Sequence, residues 1–313
     1  MRAQHWANLG ESTFVGGIWF LYGVYRLFGR VPFLLLMYPV VFYYWLLRPV
    51  ARRASIEYLT RLQRSHAVFD AAPGVGHSLR HFGLFAQTLL DKLLAIGGRY
   101  DRGRLQFHGH QALLAAQAAG QGSLIMTAHM GCLELLQTAA GWREGLRLTI
   151  LVHTGHAERF NRILQRINPE VQVRLLQVES FDAATAMLLA NRVAAGEHVA
   201  IAGDRVPLRS GRTVSARFLG EMAEFPAGPY LIAAVLRCPV FMLACVHHGT
   251  GYSVHVEQLA ERVQLPRADR IGAMGDYAAR YAAWLEGCVQ RSPYDWFNFF
   301  PFWDQGRHAS SAE

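Results

Sequence analysis

From residue 105 onward the chain alternates between two rhythms of apolar spacing. Short, nearly continuous apolar runs ("SLIMTA", "LRLTILVH", "VQVRLLQV", "HVAIAGD") are separated by stretches with apolar positions three and four apart. The latter include "HQALLAAQAAGQG", "CLELLQTAAGW", "ERFNRILQRI", "FDAATAMLLANRVAAG" and "AGPYLIAAVLRC". Runs of the first kind suit strands buried on both faces, and spacing of the second kind suits helices. "RLQFHG" opens the series as a strand; "PVFMLACVHH" and "YSVHVEQL" add two strands, and "IGAMGDYAARYAAWLEGCVQRS" closes it as a long helix. Strands alternating with helices predict an α/β fold, with a mostly parallel central sheet flanked by helices.

Upstream the rhythm is different. "FVGGIWFLYGVY" (Phe14 to Tyr25) and the 17 uncharged residues "VPFLLLMYPVVFYYWLL" (Val31 to Leu47) are separated by Arg26 and Arg30 and followed by Arg48, Arg52 and Arg53. A spanning helix needs about 20 residues for a hydrocarbon core of about 30 Å, so the longer run is at the lower limit. Pro32 and Pro39 make a tilted or half-inserted hairpin the alternative to a straight span. Trp19-Phe20 and Tyr43-Tyr44-Trp45 suit the aromatic belt, and the arginines after the run place the downstream domain on the cytoplasmic side. No small-residue cleavage site follows the run, unlike in a signal peptide. The expected organisation is a membrane-associated helical segment over residues 1–53 and one α/β domain over 54–313, beginning with helical spacing from Ala54 to Leu94.

Composition sharpens this picture. The 313 residues are 52% hydrophobic and 17% charged, with a net charge of +8 and Lys92 as the sole lysine. Basic residues diluted among aromatics favour an anionic membrane surface over nucleic acid as partner. The four cysteines form no CxxC pair, which fits a reduced cytosolic setting. Cys132 reads as a small core residue, with a nucleophilic thiol as the alternative.

The chemistry concentrates at "SLIMTAHMGCLELL", where a buried strand ends on His129. Sites in open α/β sheets form beyond the carboxyl ends of strands. In a continuous helix, residues five apart are turned by roughly 140°. His129 and Glu134 therefore meet only across a strand–turn–helix corner, with Gly131 allowing the bend. Such a corner would let Glu134 fix the imidazole's tautomer while His129 removes a proton. No G-x-S-x-G nucleophile elbow is present. The base would then act on a hydroxyl or amine of the substrate itself, and direct acyl transfer is the natural chemistry.

These residues carry a resemblance. "HMGCLE" resembles the HX4D/E motif of the lysophospholipid acyltransferase superfamily. The apolar N-terminus with its Arg-rich helix, "RFNRIL", and "AIAGDRVPLRSGRTVSARFLGEMAEFPAGPYLIAAVLRCPVF" are similar to the bacterial lipid A late-acyltransferase (lauroyl/myristoyl) branch. The resemblance implies transfer of a fatty acyl chain from an acyl-carrier-protein or acyl-CoA thioester to a lipid acceptor at the cytoplasmic face of the bacterial inner membrane. It implies no cofactor and no covalent enzyme intermediate. His129 would be the base and Glu134 its orienting partner. Asp204 and Arg205 would flank the cleft, the former shaping its loop and the latter meeting an anionic group. Arg159 and Asn161 would help close the site, and Arg212 and Arg217 are candidates for a pantetheine phosphate. "SPYDWFNFFPFW" departs from the basic Trp-containing segment that usually ends this branch, so a lipid A precursor, an aryl polyene lipid and an amino-acid lipid all stand as acceptors.

Two other readings compete. A metal-dependent hydrolase could use His108 and His110, His153 and His156, or His247 and His248, although none extends into H-x-H-x-D-H or H-E-x-x-H. A non-catalytic membrane scaffold would need no His–Glu corner at all.

Overall fold

The computed structural model describes residues 15–138, 147–152, 173–177, 182–206 and 212–305. Its centre is a seven-stranded sheet. In chain order the strands are β1 (Leu105–His108), β2 (Leu124–Thr127), β3 (Leu148–Val152), β4 (Val173–Gln177), β5 (His198–Ala202), β8 (Val240–His248) and β9 (Gly251–Ala260). They lie in the order β1-β9-β8-β2-β5-β3-β4, and each adjacent pair is parallel except the β8–β9 hairpin. β2 is buried along its whole length between β8 and β5, which explains its uninterrupted apolar run.

Alternation across the sheet defines two core layers. Leu124, Met126, Val199, Ile201, Val240 and Met242 pack on one face against α6 (Ala183–Ala194), α7 (Gly228–Leu236) and α8 (Arg270–Arg291). Ile125, Ala200, Phe241, Leu243 and Cys245 pack on the other, with Leu113 of α5 (Gln111–Ala118). The mostly parallel α/β architecture is thus the one that the apolar spacing predicts.

Two local expectations are corrected. "CLELLQTAAGW" was expected to be an α-helix, but its described part, Leu133–Thr138, is a 3-10 segment. The sequence reading also does not anticipate the antiparallel hairpin of β6 (Thr213–Phe218) and β7 (Glu221–Pro226). Its signal is present: Val214, Ala216 and Phe218 are buried while Ser215 and Arg217 are exposed, a period of two that only five or six residues carry. The expected helix "ERFNRILQRI" lies outside the described residues.

The N-terminal region is a run of four helices, α1 (Val15–Phe28), α2 (Arg30–Leu47), α3 (Pro49–His66) and α4 (Val75–Ile96). Gly29, at φ 85°, separates the first two. α2 is long and apolar enough to cross a membrane by length and composition. One stripe of it, Phe33, Met37, Val41 and Trp45, is buried against Phe82, Leu90 and Leu94 of α4. The opposite face exposes Leu35, Tyr38, Phe42, Tyr43 and Leu46 to the surroundings. Trp45 was expected in an interfacial belt with Tyr43. It is instead buried, its indole donating to Ser78 Oγ at 3.0 Å, because it falls on the docked stripe of the helix.

Past its last paired residue, β2 stays close to β8. Gly131 (φ 56°) bridges Cys245, and a Cβ added there would lie 1.7 Å from the Cys245 carbonyl oxygen. Gly131→Ala should therefore cost at least about 2 kcal/mol, combining left-handed strain with a backbone clash. Gly228→Ala, with nothing within 4 Å of the new methyl, should leave stability nearly unchanged. Urea denaturation of the two variants checks this, and equal midpoints would show that the corner is not tightly built.

Candidate active site

Parallel pairing brings two distant loops together. Thr127 of β2 is in register with Ala202 of β5, and each strand then runs two residues further, to His129 and Asp204 respectively. The loops cross-link at once, Gly203 N–H donating to Thr127 O at 2.8 Å. Gly203 has no room for a side chain, since a Cβ would approach Tyr281 Cζ to 2.9 Å. Tyr281, on α8, donates its hydroxyl to the same Thr127 carbonyl at 2.8 Å. The register thus carries two residues 75 positions apart to one point at the carboxyl end of the sheet.

There, Asp204 is held by three donors. Its Oδ1 lies 2.8 Å from His129 Nδ1, while its Oδ2 accepts from the His129 backbone N–H at 2.9 Å and from the Trp296 indole at 2.9 Å. Asp204 is only 1% exposed. Burial pushes its carboxyl up, but the His129 ring and backbone and the Arg205 guanidinium outweigh that and hold it down at about 2. His129 moves below its ordinary value: burial and the Arg205 charge lower it, and Asp204 offsets part of the effect. The imidazole is therefore neutral near pH 7. An ionised Asp204 accepts from Nδ1–H, which assigns the free lone pair to Nε2. The His129 side chain is 38% exposed. A neutral imidazole, oriented by a carboxylate and open on one side, is equipped to take a proton from a bound hydroxyl or amine.

The expected His129–Glu134 pairing is corrected. Glu134 instead binds Lys92 of α4 at 3.1 Å, and it shares no hydrogen bond with His129. The 3-10 geometry of Leu133–Thr138 is the local difference from the helical turn on which that pairing depended. Glu134 still bears on the site through Lys92, whose charge reaches His129. Lys92 is raised: burial lowers it, and Glu134 more than compensates. Cys132 is fully buried, with its Sγ 3.7 Å from Glu134 Oε2, and burial and the Glu134 charge push its thiol well up. Those are conditions for a core residue rather than a nucleophile.

Arg205, next to Asp204 in the chain, lies beside the same cluster. Its Nη2 donates to Phe297 O at 3.0 Å, and its guanidinium lies 5.4 Å from the centre of the Phe300 ring. Arg212 is exposed where β6 begins, and Arg217 donates to Gly220 O within its own hairpin. Neither takes part in the His129 hydrogen-bond network. Arg159 and Asn161 lie outside the described residues, as do His153 and His156. His108 stacks on His255 with ring centroids 4.8 Å apart.

Sequence reasoning did not find Trp296 and Lys92. Trp296 lies in "SPYDWFNFFPFW", which crosses the end of the sheet: Phe297 N–H donates to His129 O, and Gly131 N–H to Asp295 O. The only signal was an indole inside an otherwise apolar aromatic cluster, since a buried Trp N–H needs an acceptor.

The site is thus a carboxylate-oriented imidazole beyond the strand ends of a mostly parallel α/β fold. The comparison of sequences makes the class specific. The family model of the bacterial lipid A biosynthesis acyltransferases matches residues 94–305, from the end of α4 through the Trp296 segment, and the chain belongs to that family of lipid acyltransferases. No curated protein matches the chain.

The two shifted groups set a pH dependence of stability. Asp204 is depressed from 3.8 to about 2, so its contribution is present above pH 4 and is lost as pH falls toward 2. His129 is depressed below 6.5, so the folded state also loses stability as pH falls below that value. Asp204→Asn should remove the loss that belongs to Asp204 below pH 4 and extend the His129 loss to lower pH, because Asp204 raises His129, so the stability–pH curves of the two proteins should differ in shape. Urea titrations at several pH values test this, and parallel curves for the two proteins would contradict it.

Proposed function

We propose that the protein transfers a fatty acyl chain from a thioester donor, acyl-carrier-protein or acyl-CoA, directly to a hydroxyl or amine of a lipid acceptor, with His129 as general base. The observation that carries this reading is the His129–Asp204 contact of 2.8 Å at the end of the sheet, in a chain of a lipid acyltransferase family. Nε2 removes the acceptor's proton as its oxygen or nitrogen attacks the thioester carbonyl. The tetrahedral oxyanion then collapses, the carbon–sulfur bond breaks, and the thiolate takes the proton from the imidazolium. Asp204 stabilises the imidazolium while it exists. Arg205 and Lys92, the cations that depress His129, also favour the negative charge that develops on the carbonyl oxygen. No enzyme acyl intermediate is needed.

A lipid acceptor implies a membrane, and the exposed apolar face of α2 supplies the surface to meet it. The arginines at and beyond its end, Arg48, Arg52 and Arg53, favour the cytoplasmic leaflet. Among acceptors, a lipid A precursor follows most directly from the family.

His129→Ala should lower kcat by about 10²–10⁴-fold with the fold retained. Asp204→Asn should lower kcat nearly as much and move the acid limb of the kcat profile to lower pH, since Asp204 raises His129. Glu134→Gln should cost less and should not add to Lys92→Met, because the two form one pair. Radiolabelled acyl-carrier-protein and acyl-CoA, each supplied with a lipid A precursor and the purified full chain, provide the assay. An active His129→Ala variant would sink the base assignment, and a larger loss for Glu134→Gln than for Asp204→Asn would sink Asp204 as its orienting residue.

A further inference from the structure

A second histidine near the same end of the sheet repeats the geometry of the first. Asp295 Oδ1 lies 2.7 Å from His247 Nδ1, and Asp295 Oδ2 accepts from the His247 backbone N–H at 2.6 Å. Its surroundings are the reverse of those of His129. His247 Nε2 has a second carboxylate, Asp91, 3.8 Å away, and no hydrogen-bond partner among the described residues. Burial lowers His247, but the two carboxylates overcome it and push it up to about 9, so it is a cation at neutral pH.

His247 lines a cavity of about 370 Å³ together with Arg30, Arg80, Arg291 and Gln87. Asp91 is the one lining carboxylate, and it is occupied by the Tyr252 hydroxyl at 2.9 Å and by His247. Three guanidiniums and an imidazolium outnumber Asp91 in the lining and Asp295 behind His247, which makes a site for an anion with several acceptor oxygens. The volume exceeds that of a bare oxyanion and leaves room for the group that carries it. Arg30 begins α2, whose outer face is apolar, so the site adjoins a lipid-facing surface.

We infer that this cavity binds the phosphate ester of a membrane lipid, at a site separate from the His129 centre and not used by its chemistry. Titration calorimetry of the full chain in non-ionic detergent tests it, with dihexanoyl phosphatidic acid, dihexanoyl phosphatidylcholine and inorganic phosphate as probes. Phosphatidic acid should saturate a single site and bind more tightly than the other two. The exposed pair Arg80→Gln/Arg291→Gln, with its melting checked by circular dichroism, should weaken it about tenfold or more. Arg262→Gln/Arg267→Gln removes the same charge elsewhere and should leave binding unchanged. Non-saturable binding, or equal weakening in both double variants, would overturn the site. Inorganic phosphate binding as tightly as the lipid would overturn the lipid as its source. The readout is binding alone, so it stands or falls independently of the acyl-transfer proposal.

Discussion

The Asp204 carboxylate ties together three parts of the chain that share no local sequence. It receives the ring and backbone of the loop after β2, it belongs to the loop after β5, and it receives the indole of the C-terminal segment. A buried carboxylate is tolerable only while its oxygens are satisfied by donors, so each of these parts depends on the other two. The requirement works in both directions. The fold must bring the donors in to bury the charge, and once they are in place the imidazole is held in one tautomer and one orientation before any substrate arrives. Assembly of the fold and orientation of the imidazole are the same event.

The two His–Asp pairs show that one partner geometry can accompany opposite shifts of the imidazole. In each, one carboxylate spans the ring Nδ1 and the backbone N–H of the same histidine. What differs is the next charge out. Burial lowers both; at His129 Arg205 and Lys92 add to it and outweigh Asp204, whereas at His247 Asp91 joins Asp295 and the two carboxylates overcome it. Consecutive residues of the C-terminal segment serve the two pairs, Asp295 holding His247 and Trp296 holding Asp204. One short stretch thus fixes both pairs.

The fold was legible wherever burial imposes a period. β2, β5 and β8 lie inside the sheet and read as unbroken apolar runs, and α8 reads as a helix across 22 residues. The placement of His129 just past a strand was legible as well, because a strand end is a local feature. Its partner was not. Spacing along the chain pointed to Glu134, while the acid actually bonded to it comes through strand register from 75 residues away, and register is a property of pairing rather than of either strand alone. Trp296 was hidden for the same reason: nothing in an aromatic segment says which carboxylate its indole will reach. The 3-10 segment at Leu133–Thr138 shows a different limit, since helical spacing over a single turn does not distinguish its geometry from that of an α-helix.

α4 connects these parts mechanically. Phe82, Leu90 and Leu94 hold α2 on one side, while Asp91 and Lys92, adjacent in sequence, reach His247 and Glu134. His81 of the same helix lies 2.9 Å from the Trp296 carbonyl and 3.0 Å from Ser55 on α3. A helix gripped on one face by the most lipid-like segment of the chain, and bonded on another to the segment that fixes both histidines, leaves little freedom between them. An apolar helix anchored in this way is held in a fixed relation to the end of the sheet. On the proposed function it would set the depth and orientation at which the end of the sheet meets a membrane, and for an acceptor embedded in lipid that placement would govern whether its nucleophile reaches His129.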